Sequence, residues 1–78
     1  MRGIRGEPAE VWMRHGKPAR FVWRGRMYAV LFVLDYRSAQ SPGRECWTVE
    51  AAPGRGVPPA NYELCRDSGT DRWTLSRA

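Results

Sequence analysis

Apolar and polar residues alternate along most of this chain, and a period of two is typical of β-strands. The alternation is clearest over Arg44–Ala52, where Trp47 and Val49 share one face and Cys46 and Thr48 share the other. No window carries the i, i+3, i+4, i+7 apolar spacing of an amphipathic helix. The pattern therefore predicts an all-β fold.

Turn-forming residues divide this pattern into five or six antiparallel strands. The predicted strands cover residues 10–14, 19–23, 26–36 and 44–52, and a C-terminal hairpin covers residues 61–77. The stretch HGKP at residues 15–18 predicts a turn, and residues 53–61, with three prolines and two glycines, predict an irregular loop. Arg24 and Gly25 separate two β-rich runs, which is the spacing of a tight hairpin in which glycine supplies a positive φ.

The run from Arg26 to Tyr36 is apolar on both of its faces. Such a run is either a central strand covered on both sides or a long strand that bends through a bulge and serves two parts of a small barrel. Because the sequence supplies no helix to cover a second face, the bent strand is favoured. We therefore predict one small antiparallel SH3-like or related barrel over residues 9–78, preceded by a flexible N-terminus over residues 1–8. The predicted core consists of Val22, Tyr28, Val30, Val33, Trp47, Val49, Tyr62, Leu64, Trp73 and Leu75.

The protein is basic, with a formal net charge of +5, and all but one of its thirteen basic residues are arginine. Arginine presents a planar fork that binds phosphate through two hydrogen bonds, so DNA or RNA is the first partner to consider. The codon bias of a GC-rich genome is an alternative explanation, because no run of basic residues concentrates the charge. No segment approaches the roughly 18 apolar residues of a membrane span, and the N-terminus lacks the apolar stretch of a signal peptide. We therefore expect a cytoplasmic protein with no membrane partner.

Residues suited to catalysis or metal binding are few. His15 is the only histidine, and it falls in a predicted turn with no cue placing it beside a nucleophile. Two cysteines are too few for a structural zinc site without histidine help. We therefore predict a non-enzyme with no catalytic residue, no metal and no cofactor. Cys46 and Cys65 should lie on the face away from the core, and free thiols in a reducing cytosol are favoured over a redox-sensitive cross-strand pair.

One binding hypothesis makes this chain a nucleic-acid-associated module. Arg20, Arg24 and Arg26 would contact phosphates, while Phe21 or Trp23 would stack on a base, as aromatic residues do in small barrels that bind single strands. Three further basic residues, Arg5, Arg14 and Lys17, would widen this surface.

A second hypothesis makes it a protein-interaction module. Leu31 and Phe32 belong to an apolar run that exceeds what a monomer usually exposes, so they would dock a partner, or a second copy, beside an edge strand. Salt separates the two hypotheses, because phosphate contacts weaken steeply as salt rises and apolar docking does not.

Three motifs extend over nearly the whole chain: WRGRxY at residues 23–28, WxVEA at residues 47–51, and YELxxD followed by RWxL at residues 62–75. Together they resemble an actinobacterial family of short basic proteins classed as a domain of unknown function. The resemblance implies an association with damage-tolerance DNA polymerases, and hence an accessory role in DNA repair or translesion synthesis with a nucleic acid or a repair protein as partner. The chain departs from the family pattern at Leu31 and Phe32, which are apolar where polar or basic side chains are expected. This departure favours a contact patch there.

Overall fold

The computed structural model describes residues 6–39 and 43–78, and all of its regular structure is β. Its strands are β1 (Glu7–Pro8), β2 (Glu10–Arg14), β3 (Lys17–Trp23), β4 (Arg26–Ala39), β5 (Arg44–Ala52), β6 (Ala60–Asp67) and β7 (Arg72–Arg77). The all-β prediction is confirmed, with seven strands rather than five or six. Over the described ranges, no helix is long and apolar enough to cross a membrane.

The additional strand is β1, which lies inside the segment predicted to be a flexible N-terminus. Glu7 and Pro8 pair with Leu75 and Thr74 of β7, so this end of the segment is part of the sheet. The first five residues of that segment, including Arg5, lie outside the described residues.

The strands form one antiparallel sheet in the order β1-β7-β6-β5-β4-β3-β2. Only Ala9 separates β1 from β2, so a single N-terminal segment pairs with β7 at one end of the sheet and with β3 at the other. The backbone N–H of Ala9 also donates to the carbonyl oxygen of Trp73 at 3.3 Å. The sheet is therefore curled into a half-barrel, with its core on the concave face.

Two short hairpins turn through pairs of residues with positive φ. Arg24 and Gly25 have φ values of 54° and 74° and connect β3 to β4, which confirms the predicted two-residue turn. His15 and Gly16, at 53° and 77°, connect β2 to β3 in the same way. The turn predicted over residues 15–18 is shorter than expected, because Lys17 already pairs with Arg14.

Strand β4 is the bent strand that the two-sided apolar run predicts. Its register with β5 shifts between Val30 and Phe32 and again between Val33 and Asp35, so Leu31 and Leu34 are unpaired bulge residues. Bulges bend a strand and increase its twist. The shifts also keep four residues of β4 on the concave face. Their partners in register there are Phe21 for Tyr28, Ala51 for Val30, Val49 for Val33 and Trp47 for Tyr36.

The buried core lines the concave face of the sheet. Its members are Phe21, Trp23, Tyr28, Trp47, Val49, Ala51, Tyr62, Leu64 and Leu75, with Val30, Val33 and Trp73 half-buried against them. Nine of the ten predicted core residues are thus in or against the core. Val22 is the exception: it lies on the outer face opposite Glu10 and Met27. Strand β3 faces the opposite way from the prediction, because turning the larger Phe21 and Trp23 inward removes more apolar surface from water.

Candidate functional site

The predicted arginine turn is held to the N-terminal strand by Glu7. Arg24 donates from Nε to Oε1 of Glu7 at 3.0 Å and from Nη2 to Oε2 at 2.8 Å, and the Trp23 indole N–H donates to Oε1 at 2.9 Å. The hydrogen bonds from Arg24, and then from Trp23, lower the pKa of the Glu7 carboxyl. Arg24 also lies 4.7 Å from the centroid of the Trp23 ring. The guanidinium fork of Arg24 is therefore already occupied by a carboxylate.

The stacking role predicted for Phe21 and Trp23 is wrong. Phe21 is fully buried, with its ring stacked on Tyr28 at a centroid distance of 4.9 Å, and Trp23 is 7% exposed. A nucleic-acid base cannot reach either ring while the core is packed. Of the residues predicted to bind nucleic acid, Arg20 and Arg26 are exposed without an ion pair among the described residues.

An exposed aromatic residue does lie beside Arg20, on the outer face of the β2–β3 hairpin. Trp12 is opposite Arg20 in register and 41% exposed, and the Arg20 guanidinium lies 5.5 Å from the centroid of the indole ring. A depression of about 460 Å³ opens here, lined by Trp12, Met13, Arg14, Ala19, Arg20 and Ala29. The hairpin therefore presents an arginine and an aromatic ring on one open surface.

A second depression adjoins the first, where the hairpin separates from β4. Strand β3 pairs with β4 only between Arg20 and Trp23, so its first residues leave an opening beside β4. This opening measures about 470 Å³ and is lined by Arg14, His15, Lys17, Pro18, Ala19, Val30, Leu31, Phe32 and Val33. Arg14 and Ala19 line both depressions, and we call the two together the hairpin groove.

The hairpin groove combines positive charge with apolar surface. Arg14, Lys17 and Arg20 are exposed, and no Asp or Glu is among the residues that line either depression. Phe32 is 63% exposed, the most exposed of the large apolar side chains in the described part of the chain. The groove is therefore suited to a ligand with both anionic and flat apolar parts.

A third cavity, the concave cleft, lies beside the groove on the inner side of the half-barrel. It has a volume of about 680 Å³ and is lined by Met13, Gly16, Lys17, Val33, Tyr36, Glu45, Trp47 and Arg66. Lys17 and Val33 also line the hairpin groove, so the two spaces adjoin at these residues.

Three polar side chains of the concave cleft, those of Tyr36, Glu45 and Arg66, form one connected set. Glu45 accepts from the Tyr36 hydroxyl at 2.8 Å and from Arg66 Nη2 at 2.5 Å. These bonds, that of Arg66 first, lower the pKa of Glu45, and the bond to Glu45 raises the pKa of Tyr36. Arg66 lies 5.8 Å from the Trp47 ring centroid and 5.4 Å from that of Trp73. The cleft thus offers aromatic walls with one carboxylate and one guanidinium.

This cleft is not among the predicted features, although the sequence carries a signal for it. Alternation along β5 puts Glu45 in phase with Trp47, and along β6 it puts Arg66 in phase with Leu64. A charged residue at an inward position near a strand end indicates that the concave face opens to solvent there. The prediction placed Trp47 in the core without extending the inward face along the strand to Glu45.

The apolar patch predicted at Leu31 and Phe32 is exposed and includes one further residue. Leu31 is 48% and Leu34 51% exposed, and both are bulge residues of β4. Over the described residues, β4 beyond Ala29 pairs with β5 alone, so its other edge is unpaired there.

Cys46 and Cys65 are joined by a disulfide between β5 and β6, so the prediction of free thiols is wrong. The two residues are opposite each other in register, with their Cα atoms 4.0 Å apart. Their predicted position on the face away from the core is confirmed, because Cys46 is also opposite Arg37 and Cys65 is opposite Thr74 on that outer face.

Comparison of the chain with protein-family models, with curated proteins and with solved structures finds no match. The resemblance to the actinobacterial family stays a prediction.

Proposed function

We propose that this protein is a binding module for single-stranded nucleic acid, and that the hairpin groove is its binding surface. The observation that carries the proposal is the clustering of Arg14, Lys17 and Arg20 with exposed Trp12 and Phe32, in a groove whose lining residues include no carboxylate. Proteins that bind single strands combine these two elements, a basic groove that follows the phosphates and aromatic rings on which bases stack.

Each part of the groove has a role in this proposal. Arg14 and Lys17 flank the opening and contact successive phosphates, while Arg20 acts together with the Trp12 ring that it covers. Phe32 stacks on a base from the β4 side. A guanidinium can bind a phosphate and lie flat on an aromatic ring, which suits arginine better than lysine for the position of Arg20.

The concave cleft extends the same surface. Tyr36 is 48% exposed at its mouth, and Glu45 keeps acceptor capacity beyond the hydrogen bonds from Tyr36 and Arg66, since each carboxylate oxygen has two lone pairs. A base that turns inward past Lys17 would stack against Tyr36 and donate its amino group to Glu45. This arrangement favours bases that carry an exocyclic amine over thymine and uracil.

Charge sets the expected strength of binding. Three phosphate contacts on a single strand give a slope of about −2 for log affinity against log salt, so affinity should fall about 20-fold between 50 and 200 mM salt. Each stacked base adds about 1–3 kcal/mol. Binding of this size suits an accessory module, in keeping with the DNA repair and translesion role that the family resemblance implies.

Fluorescence anisotropy with a labelled single-stranded DNA tests the proposal. The variant Arg14→Gln/Arg20→Gln should bind more weakly at low salt and lose most of the salt dependence. The variant Arg55→Gln/Arg72→Gln is the matched control, because it removes the same charge at residues that line neither the groove nor the cleft. Equal loss in both variants would show that only net charge matters and would overturn the groove assignment.

A second candidate function, protein interaction, is favoured by the exposed bulge residues and the unpaired edge of β4. A partner strand adding to this edge would cover Leu31, Phe32 and Leu34. Substitution distinguishes the two functions, because Phe32 lines the groove and Leu34 does not. If the protein binds nucleic acid, Phe32→Ala should weaken that binding and Leu34→Ala should not. If it docks another protein, each of the two substitutions should weaken the docking.

A further inference from the structure

The disulfide lies within a cluster of metal-ligating groups on the outer face, away from the hairpin groove. Ligand atoms of Cys46, Cys65 and Glu63 all lie within 4.8 Å of one another. Glu63 precedes Cys65 by two residues on β6, so the two share a face, and the register of β5 with β6 brings Cys46 opposite Cys65. The three groups are therefore positioned by two paired strands and not by a loop.

We propose that reduction of the Cys46–Cys65 disulfide converts this cluster into a binding site for a thiophilic divalent cation of the zinc class. A thiol reductant supplies two electrons and two protons, which cleave the S–S bond and leave two thiols. The cation then displaces both thiol protons and binds two thiolates and the Glu63 carboxylate. Water completes four-coordination, as in zinc sites with three protein ligands.

The spacing of the three groups matches what the cation needs. Zinc–sulfur bonds of about 2.3 Å in a tetrahedral site place two thiolates about 3.8 Å apart. Cys46 and Cys65 hold their Cα atoms 4.0 Å apart, and the Cβ atoms of disulfide-bonded residues lie about 3.5–4.5 Å apart. Both sulfurs can therefore reach a common ion by side-chain rotation alone. The register between β5 and β6 does not have to change.

Arg37 controls access to the third ligand. It lies opposite Cys46 on β4, and its Nη2 forms an ion pair with Oε2 of Glu63. A cation at the cluster must displace this guanidinium, which also repels it. Arg37 therefore holds Glu63 when the disulfide is intact and competes with the cation when it is reduced. Removing the arginine should tighten cation binding.

The experiment uses Co²⁺ as a spectroscopic probe for the zinc class, added to the fully reduced chain without oxygen. We expect one Co²⁺ per chain, thiolate-to-cobalt charge-transfer absorption, the visible bands of tetrahedral cobalt, and displacement by Zn²⁺. The oxidised protein and Cys46→Ser/Cys65→Ser should give no charge-transfer absorption. Dispersed amide resonances in the reduced, metal-bound protein should show that the folded chain binds the ion.

Variants of the neighbouring charges test the assignment of each ligand. Glu63→Gln should weaken Co²⁺ binding at least tenfold and Arg37→Gln should tighten it several-fold. Glu50→Gln is the matched control on the outer face of β5, outside the cluster, and should leave the affinity unchanged. Absence of charge-transfer absorption in the reduced protein, or equal affinity in Glu63→Gln and the wild type, would overturn the proposal.

Discussion

Phe21 and Tyr28 are opposite each other in the β3–β4 hairpin, and their rings stack with centroids 4.9 Å apart and planes inclined by only 4°. Tyr62 meets both rings edge-on from β6, at 5.8 Å from Phe21 and 5.7 Å from Tyr28. Three strands thus converge on one aromatic cluster. Because a chain of this length has few large residues to bury, this cluster should dominate its stability.

Truncating Phe21 should therefore be among the most damaging changes to the fold. Phe21→Ala leaves a cavity in a fully buried position and should lower the free energy of unfolding by about 3–5 kcal/mol. Phe32→Ala removes the same side chain from an exposed position and should change it by less than about 0.5 kcal/mol. Urea unfolding of both variants measures the difference. Similar losses would contradict the inward orientation of β3.

The ion pair between Glu7 and Arg24 should make the free energy of unfolding depend on pH in the acid range. The folded-state pKa of Glu7 is lowered, so its contribution is complete above the unfolded value of about 4.3 and is lost as the pH falls through the folded value. Glu7→Gln should reduce this acid loss, and Arg24→Gln should reduce it too, since Arg24 is the main cause of the shift. Urea midpoints measured from pH 7 down to pH 2 give the profile. If both variants lose as much stability at low pH as the wild type, the Glu7–Arg24 ion pair is not the source of that loss.

Reduction of the disulfide should destabilise the fold without changing it. The bond joins residues 19 apart, and closing a loop of this length contributes about 3 kcal/mol by restricting the unfolded chain. Urea unfolding with and without reductant measures this term, and Cys46→Ala/Cys65→Ala should not respond to reductant. A reductant effect that persists in the double variant would show that the disulfide is not its source.

The β2–β3 turn should tolerate asparagine better than histidine. His15 occupies the left-handed region with φ of 53°, which asparagine adopts more readily than histidine. His15→Asn should raise the free energy of unfolding, by at most about 1 kcal/mol. Thermal unfolding would reveal the change, and a lowered melting temperature would indicate that the imidazole makes a contact that the turn needs.

The sequence predicts those features of the fold that depend on local pattern. The Arg24–Gly25 turn follows from spacing and glycine alone, and the bend of β4 follows from a run that is apolar on both faces. The orientation of β3 does not follow in the same way. Phe21 and Trp23 alternate with Val22, so both phases of the strand carry apolar residues. The inward phase is the one whose larger side chains pack on Tyr28 and remove more apolar surface from water.

The hairpin groove and the disulfide depend on pairings between strands, which no local pattern reports. The register of β2 with β3 shifts between Trp12 and Met13, and beyond this point Lys17 is paired with β2 but not with β4. This separation creates the groove, which Arg14 and Lys17 line in place of the predicted arginine turn. Cys46 and Cys65 likewise become neighbours only through the register of β5 with β6.

The most direct test of the nucleic-acid proposal is an NMR titration of the isotope-labelled protein with a short single-stranded oligonucleotide, at low and at moderate salt. Binding in the hairpin groove predicts salt-sensitive shifts gathered on residues 12–20 and 30–33, with the Arg24–Gly25 turn unaffected. An absence of shifts at low salt, or shifts confined to the Arg24–Gly25 turn, would contradict the assignment of the groove as the nucleic-acid surface.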